Sequence, residues 1–305
     1  MARVLSQEHL NAYKEGGKLN KFFNIIMDDP ELSFEIRQND TVCIYYNKKL
    51  ILTVEMKKRG GFHFNFKPLN KGYYKAEKET PSWVKIFDDE SNWRRQNAII
   101  KYLNNAKLYA YKESRKTEFQ LQQNFALGNR GFNSRYVVVD MEWGLPQNNI
   151  KKEDQINRTR IDLVIVDTLK NEKGKNDIYL TEVKLGTDSL YGPSGMQDHI
   201  NQTNNICNNK YACDVLVSDV SNILRQKAEL GIININKDLP DLHFEDRPKM
   251  LFILGYRSDK ELIELQELDR NLVRPKDMKD IKFISCDTRR NIKPEDIKEK
   301  VEKMN

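Results

Sequence analysis

The sequence predicts a mixed α/β protein of the α+β class, with a small β-rich N-terminal domain at residues 1–91 and a larger domain at residues 92–305. Segments of strand length dominate the first ninety residues, and a helical pattern with few breakers begins at Asn92. Strands and helices both follow in the remainder of the chain, as is typical of mixed α/β folds. A chain of 305 residues is long enough for two such domains.

The N-terminal domain is predicted from a hairpin and an alternating strand. Strand-like residues 42–46 and 50–56 flank a short polar connection, and the alternation of Phe62, Phe64 and Phe66 places three rings on one face. Those rings could form the core of a small antiparallel sheet or stack on nucleic-acid bases, and the core is the favoured interpretation. The polar segment 77–83 is the predicted boundary between the domains.

The larger domain is predicted in chain order from its hydrophobic pattern. It begins with a helical stretch at 92–129, and β-branched or apolar segments of strand length and amphipathic segments of helix length follow. The predicted strands are 136–143, 160–167, 177–185, 250–256 and 282–286, and the predicted helices are 194–208, 221–231, 259–272 and a charged terminal helix from 293.

Composition and missing motifs exclude several classes of protein. The longest apolar runs are far shorter than a membrane span, and the N-terminus lacks the apolar stretch of a signal peptide, so we expect a cytoplasmic protein with no membrane partner. Four scattered cysteines and four dispersed histidines predict free thiols, with neither a disulfide framework nor a zinc site. The chain has no phosphate-binding glycine loop, dinucleotide motif or nucleophile elbow, which argues against ATP-driven and serine-hydrolase chemistry.

The net charge of +6 is distributed unevenly. Residues 94–160 contain 13 basic and 6 acidic side chains, a local excess of +7. Such an excess suits a polyanionic partner such as nucleic acid. A solvated helical surface would have the same composition, so charge does not decide between the two.

Three residues in neighbouring strands have the chemistry of a metal site. Asp162 is a lone acid in an otherwise apolar strand, where a carboxylate is costly unless it is paired or binds a cation. Glu182 and Lys184 are two residues apart in the next strand and therefore share a face. A hairpin that turns near Glu172 would place Asp162 opposite Glu182. Two carboxylates beside an ammonium predict a site for Mg²⁺ or Mn²⁺ next to a fixed positive charge.

Asp162 followed by Glu182-Val183-Lys184, twenty positions on, resembles the motif of the PD-(D/E)xK phosphodiesterase superfamily, which includes many restriction and repair nucleases. The resemblance covers roughly residues 92–260 and implies a restriction-endonuclease-like αβββαβ core. It also implies metal-dependent hydrolysis of nucleic acid, with DNA as the expected substrate. Ile161 stands where the motif name has proline, a position that varies freely in the superfamily.

The resemblance implies a role for each matching residue. Asp162 and Glu182 would bind Mg²⁺ or Mn²⁺, and Lys184 would act on the attacking water or the transition state. Glu118 matches a glutamate that many members carry before the first core strand, and it is a further candidate metal ligand. Gln197 matches a catalytic glutamine on the helix after the motif strand. A catalytically silent module that binds nucleic acid or a partner is the alternative function, and a homodimer is a further expectation.

A second E-x-K segment competes with the first. Glu55-Met56-Lys57 also ends a strand, and Asp40 lies across a hairpin from it. No helix follows Lys57 that could complete the superfamily core, whereas a helix and an apolar strand follow Lys184. The set containing Asp162 is therefore favoured.

Structural roles also remain open for individual candidates. Asp162 could pair with a nearby arginine, Arg158 or Arg160, and Glu182 with Lys184 could be an exposed ion pair. Ser194 and Gln197 have the spacing of a capping box. Other acids and a histidine are rivals: Asp140 and Glu142 are candidate ligands on the first core strand, and His199 could contact phosphate or water or simply lie on the surface.

Overall fold

The computed structural model describes residues 2–57, 60–65, 96–113, 117–130, 135–145, 156, 160–187, 190–191, 195–234, 242–276, 278 and 281–288. The chain forms two compact units. The first comprises Met1–Gln123 and Arg225–Ile232, and the second comprises Asn124–Leu224 and Ile233–Asn305. The boundary segment 77–83 lies outside the described residues, so a division at residue 91 stays a prediction.

The first unit contains a four-stranded antiparallel sheet in which the strands follow chain order. The predicted hairpin is confirmed, and its turn residues Asn47 and Lys48 both have the positive φ that tight hairpin turns require. Two helices and one strand at the N-terminal end are absent from the sequence prediction. The elements are α1 (Gln7–Tyr13), α2 (Asn20–Asp28), β1 (Leu32–Arg37), β2 (Thr41–Tyr46), β3 (Lys49–Met56) and β4 (Phe62–Asn65).

The alternating phenylalanines are core residues. Phe62 and Phe64 are buried in β4, whereas His63 between them is exposed. Phe22 of α2 packs edge-on against Phe64, with ring centroids 5.3 Å apart. The core interpretation is therefore confirmed for these two rings, and Phe66 lies outside the described residues.

Two helices occupy the described parts of the stretch predicted as helical from Asn92. They are α3 (Gln96–Glu113) and α4 (Thr117–Gly128), and residues 114–116 between them lie outside the described part of the chain.

The second unit contains a five-stranded mixed sheet whose strand order is the chain order. Its first three strands are antiparallel, and its last three run parallel to one another. The strands are β5 (Tyr136–Trp143), β6 (Ile161–Lys170), β7 (Asn176–Leu185), β8 (Lys249–Tyr256) and β9 (Lys282–Asp287). The helices between them are α5 (Met196–Cys207), α6 (Lys210–Glu229) and α7 (Asp259–Asn271).

The turn between β6 and β7 is formed by an asparagine and a glycine with matching local chemistry. The side chain of Asn171 accepts hydrogen bonds from the backbone N–H groups of Lys173 and Lys175, and Gly174 supplies a positive φ. The hairpin therefore turns where the sequence predicts. Beyond the turn, an irregularity between Val166 and Lys170 shifts the register, and this shift places Leu163 opposite Thr181 and Val164 opposite Leu180.

The centre of the sheet is covered on both faces. All ten residues of β7 are buried, as expected for a central strand. On one face, Met196 and Ile200 of α5 pack in a cluster with Phe252 and Leu254 of β8. Because Phe252 and Leu254 pair with Glu182 and Lys184, α5 covers the face that bears the motif side chains.

The element order confirms the mixed α/β class. Helix α6 begins at Lys210, eleven residues before its predicted start, and the helix predicted from 293 lies outside the described residues. No disulfide joins the four cysteines, as predicted. Within the described ranges, no helix is long and apolar enough to cross a bilayer.

Candidate active site

Asp162 and Glu182 lie on the two strands of the β6–β7 hairpin. The register between these strands pairs Leu163 with Thr181, the sequence neighbours of Asp162 and Glu182. The backbone N–H of Val183 donates a hydrogen bond of 3.0 Å to Asp162 Oδ2, which ties this carboxylate to the motif strand. Both acids are buried, and only 2% of Glu182 is exposed. The two acids are therefore buried on neighbouring strands, and their direct approach to each other stays a prediction.

Lys184 and Glu182 share a third neighbour, His199 of α5. The Nζ of Lys184 lies 3.0 Å from Nε2 of His199, and Nδ1 of the same ring lies 3.1 Å from Oε2 of Glu182. Lys184 is 7% exposed. One imidazole thus contacts both charged residues of the E-x-K segment. An ion pair on an exposed edge, the structural alternative for Glu182 and Lys184, is excluded by this burial.

The helix positions His199 through its buried stripe. Met196, Ile200, Thr203 and Cys207 recur at helical spacing and are buried. His199 precedes Ile200 and therefore flanks this stripe on the side of the motif strand. The sequence identified the stripe, but nothing in a lone histidine beside it distinguishes a site residue from a surface one.

Gln197 flanks the stripe at a different angle, and its side-chain amide binds the backbone after α7. Its Nε2 donates to the carbonyl of Val273 at 3.0 Å, and its Oε1 accepts from the N–H of Val273 at 3.1 Å. These two bonds engage both the N–H and the carbonyl of Val273, as the backbone of a neighbouring strand would. The N-cap of α5 is Gly195, which makes no side-chain cap hydrogen bond, and Ser194 of the possible capping box lies outside the described residues. A catalytic role for Gln197 stays a prediction.

Glu118 lies in the first turn of α4 and belongs to the first unit. The contacts that join Asp162, Glu182, Lys184 and His199 lie within the second unit. The assignment of Glu118 as a third metal ligand stays a prediction.

Glu142 is the nearest rival acid in the sheet register. Met141 pairs with Leu163 and Trp143 with Ile161, which places Glu142 opposite Asp162. Glu142 has a positive φ of 58°, a strained conformation for a strand residue, and its carboxylate contacts the guanidinium of Arg160. The other rival, Asp140, is buried opposite Val164, and it lies on the same side of the bulge at residues 138–140 as Glu142. Arg158 lies outside the described residues.

The donor atoms suit a hard divalent cation held mainly by water and substrate. Among the described residues, no group of three or more His, Cys, Asp or Glu side chains is arranged to hold a metal ion. Mg²⁺ is nevertheless commonly bound through one or two carboxylates, with waters and substrate phosphate as the other ligands. Asp162 and Glu182 provide two such carboxylates side by side, so the residues fit Mg²⁺ or Mn²⁺.

Several side chains of the basic segment 94–160 are already engaged by carboxylates. Lys107 contacts Asp29 and Glu31, and the guanidinium of Arg135 binds both oxygens of Asp167, at 3.0 and 3.1 Å. The hydrogen bonds that Arg135 donates to Asp167 raise the pKa of Arg135. Much of the remaining segment lies outside the described residues. A phosphate-binding surface there stays a prediction.

A cavity of about 560 Å³ opens at the opposite end of β7. Its floor includes Met250 and Met278, and its rim carries Asp177 and Lys249, which form a salt bridge of 2.6 Å. Burial works to raise the pKa of Asp177, but hydrogen bonds from Lys249 and Asn171 outweigh it and lower that pKa. Asp177 is five residues before Glu182 along the strand, so this cavity is separate from the motif residues.

No model of a known protein family, no curated protein and no solved structure matches the chain.

Proposed function

We propose that the protein is a metal-dependent nuclease that hydrolyses phosphodiester bonds, with DNA as its substrate and with Asp162, Glu182 and Lys184 at its active site. The observation that carries the proposal is the burial of these three charged residues on the neighbouring, paired strands β6 and β7.

Burial of these charged residues costs free energy of desolvation, which favours a functional role over a purely structural one. Removing an ion from water costs several kcal/mol, and a buried ion pair is often no more stabilising than apolar residues of the same volume. The surrounding strands are rich in isoleucine, leucine and valine, so an apolar pair could occupy these positions without disturbing the sheet. Perturbed or costly charges of this kind concentrate at functional sites.

The order of elements also supports the proposal. Helices α3 and α4 precede three antiparallel strands, and helices α5 and α6 then lead to a parallel strand beside β7. This order is compatible with the αβββαβ core that the resemblance implies. The motif residues occupy the second and third of these strands.

Each residue of the site has a distinct task in this proposal. Asp162 and Glu182 supply oxygen ligands, and Val183 N–H orients the Asp162 carboxylate. When bound, the divalent cation would supply Lewis-acid polarisation of the phosphoryl group. Lys184 carries a positive charge beside these acids, where it would orient the attacking water and stabilise the negative charge that develops on the phosphoryl oxygens.

A silent binding module on the same fold is the second candidate. His199 already links Glu182 to Lys184, and described basic residues such as Lys107 and Arg135 are engaged by carboxylates. Both observations are compatible with a site that has lost cleavage.

The test is cleavage of supercoiled and linear DNA by the full chain with Mg²⁺, with Mn²⁺ or with EDTA. We expect nicking that requires the metal and that falls at least about 100-fold in Glu182→Gln, because the variant loses a charged ligand and keeps the side-chain shape. Glu55→Gln is the matched control, since it makes the same change in the other E-x-K segment, and it should retain activity.

Equal cleavage by wild type and Glu182→Gln would overturn the assignment of the site. Absence of cleavage in every condition, together with calorimetry that shows no Mn²⁺ binding dependent on Glu182, would overturn the nuclease proposal and favour the silent module.

A further inference from the structure

The imidazole of His199 has two different neighbours, and their chemistry fixes the state of the ring. An ammonium group has only donors, so Nε2 of His199 must accept the hydrogen bond from Lys184 Nζ at 3.0 Å. A carboxylate only accepts, so Nδ1, at 3.1 Å from Glu182 Oε2, must carry the proton. The ring is therefore neutral and protonated on Nδ1, an assignment made from its hydrogen-bonding partners.

The strand geometry explains why one ring can serve both residues. Side chains two positions apart in a strand leave the same face about 6.6 Å apart. Glu182 and Lys184 therefore lie next to each other on one face of the strand. The imidazole of a residue on the covering helix can contact Lys184 with one ring nitrogen and Glu182 with the other. Helix α5 is held on this face by Met196 and Ile200.

We propose that His199 is a positioning residue of the active site, which holds Lys184 and Glu182 at a fixed separation through its neutral, Nδ1-protonated ring; this inference rests on the proposed nuclease function. Lys184 has a flexible four-carbon stem, and an ammonium held at a defined point costs less reorganisation in the transition state. The second nitrogen anchors the ring to Glu182 and thereby also orients that carboxylate, as outer partners commonly do for metal-binding residues.

The first test measures the ring itself and needs no activity. Long-range proton–nitrogen correlation spectra of the full ¹⁵N-labelled chain in EDTA, at about pH 8 where ordinary histidines are neutral, report the tautomer of each histidine. The His199 signals are assigned by their loss in His199→Asn. We expect one fixed tautomer with Nδ1 protonated and Nε2 unprotonated. His63, whose side chain is 52% exposed, is the internal reference for a ring that exchanges between tautomers.

Lys184→Met makes the test specific, because it keeps the stem and removes the donor to Nε2. Because Glu182 still accepts from Nδ1, we expect the His199 ring to keep its proton there in this variant, while its Nε2 signal shifts as the hydrogen bond from Lys184 is lost. Lys57→Met should leave both signals unchanged. An averaged ring in the wild type, or a proton on Nε2, would overturn the inference.

The second test uses kinetics. His199→Gln keeps an acceptor for Lys184, and His199→Asn keeps a donor for Glu182, whereas His199→Ala removes both. We expect each conservative variant to lower kcat about 10-fold and the alanine variant about 100-fold, with KM for DNA within about twofold, because positioning acts on the reacting groups. His63→Asn is the matched control and should leave kcat unchanged.

The two tests separate the inference from the function. A fixed Nδ1–H tautomer in a protein without nuclease activity would sustain the contact and reject the positioning role in catalysis. Cleavage that depends on Glu182 but keeps its kcat in His199→Ala would sustain the nuclease and reject the inference.

Discussion

The chain contains two E-x-K segments, and the structure gives them opposite surroundings. Glu55 and Lys57 lie at the end of β3 in the first unit, and Glu182 and Lys184 lie in β7 at the centre of the second sheet. The side chain of Glu55 is 41% exposed, whereas that of Glu182 is 3% exposed. Both glutamates even have a histidine nearby, but His63 lies 3.9 Å from Glu55, beyond hydrogen-bonding distance.

The acids opposite the two segments differ in the same way. Asp40 does not face Glu55 as a ligand partner, because Ser6 donates to it from both its N–H and its hydroxyl, at 2.8 and 2.7 Å. His9 Nδ1 also lies 3.0 Å from Asp40. Asp40 therefore joins the first helix to the β1–β2 turn. Asp162 instead accepts from the strand that carries Glu182.

The comparison shows that the surroundings of the strand, and not the E-x-K spacing alone, determine whether the glutamate and the lysine interact strongly. The partly exposed end of a strand leaves its charged residues in water, where they cost little and interact weakly. A central strand covered on both faces forces the same residues together in a desolvated site, where their mutual interactions are strong.

The largest expected difference is in the two lysines. Lys184→Met should lower cleavage by about 100-fold to 10,000-fold, the range for removal of a positioned catalytic group, whereas Lys57→Met should be neutral. Single-turnover cleavage of DNA under saturating Mn²⁺ is the measurement. Equal rates for the two variants would remove the functional distinction between the segments.

The intermediate expected effect is a loss of folding stability when Asp40 is replaced. Asp40→Ala should lower the apparent free energy of unfolding by about 1 to 3 kcal/mol, because Ser6 and His9 lose their acceptor. Glu55→Ala should stay within about 0.5 kcal/mol, as is usual for exposed substitutions. Urea unfolding with and without Mn²⁺ measures both. A metal-dependent loss in Asp40→Ala would mean that the first segment also binds a cation.

The smallest expected effect is a pH dependence at His9. Burial lowers the pKa of His9 below its ordinary value, and Asp40 offsets only part of that effect. Between the ordinary value of about 6.5 and the lowered folded value, the unfolded chain binds the proton and the folded chain does not. The contribution of His9 is therefore complete above about pH 6.5 and is lost as the pH falls below it.

Urea unfolding at pH 7.5 and pH 5.5 measures this loss, which cannot exceed about 1.4 kcal/mol per pH unit for one group. His9→Gln should show a shallower decline than wild type over the same interval. An identical slope in the two proteins would mean that the neutral ring of His9 does not limit stability in acid.

Local sequence patterns predicted a large part of this fold. The boundaries of Tyr136–Trp143 agree with its pattern, and those of β6, β7 and β8 agree within three residues, because apolar β-branched runs bounded by polar turns specify buried strands. The helices before β1 were missed because they span only seven and nine residues, although the second has a clear amphipathic pattern. The position of the hairpin turn was also predictable, but the register at Asp162 depends in addition on an irregularity between Val166 and Lys170 that no local pattern indicated.

Contacts between residues distant in sequence were decided only by tertiary packing. Gln197 and His199 stand on the same helix with similar spacing to the motif, yet the amide binds the backbone of Val273 and the imidazole reaches Glu182 and Lys184. Helical periodicity says which side of α5 is buried, but the rotation of that helix on the sheet depends on how Met196 and Ile200 pack against Phe252 and Leu254. Local patterns therefore determined the acids and the lysine of the candidate site, and the packing of a helix on a sheet determined which neighbour holds them.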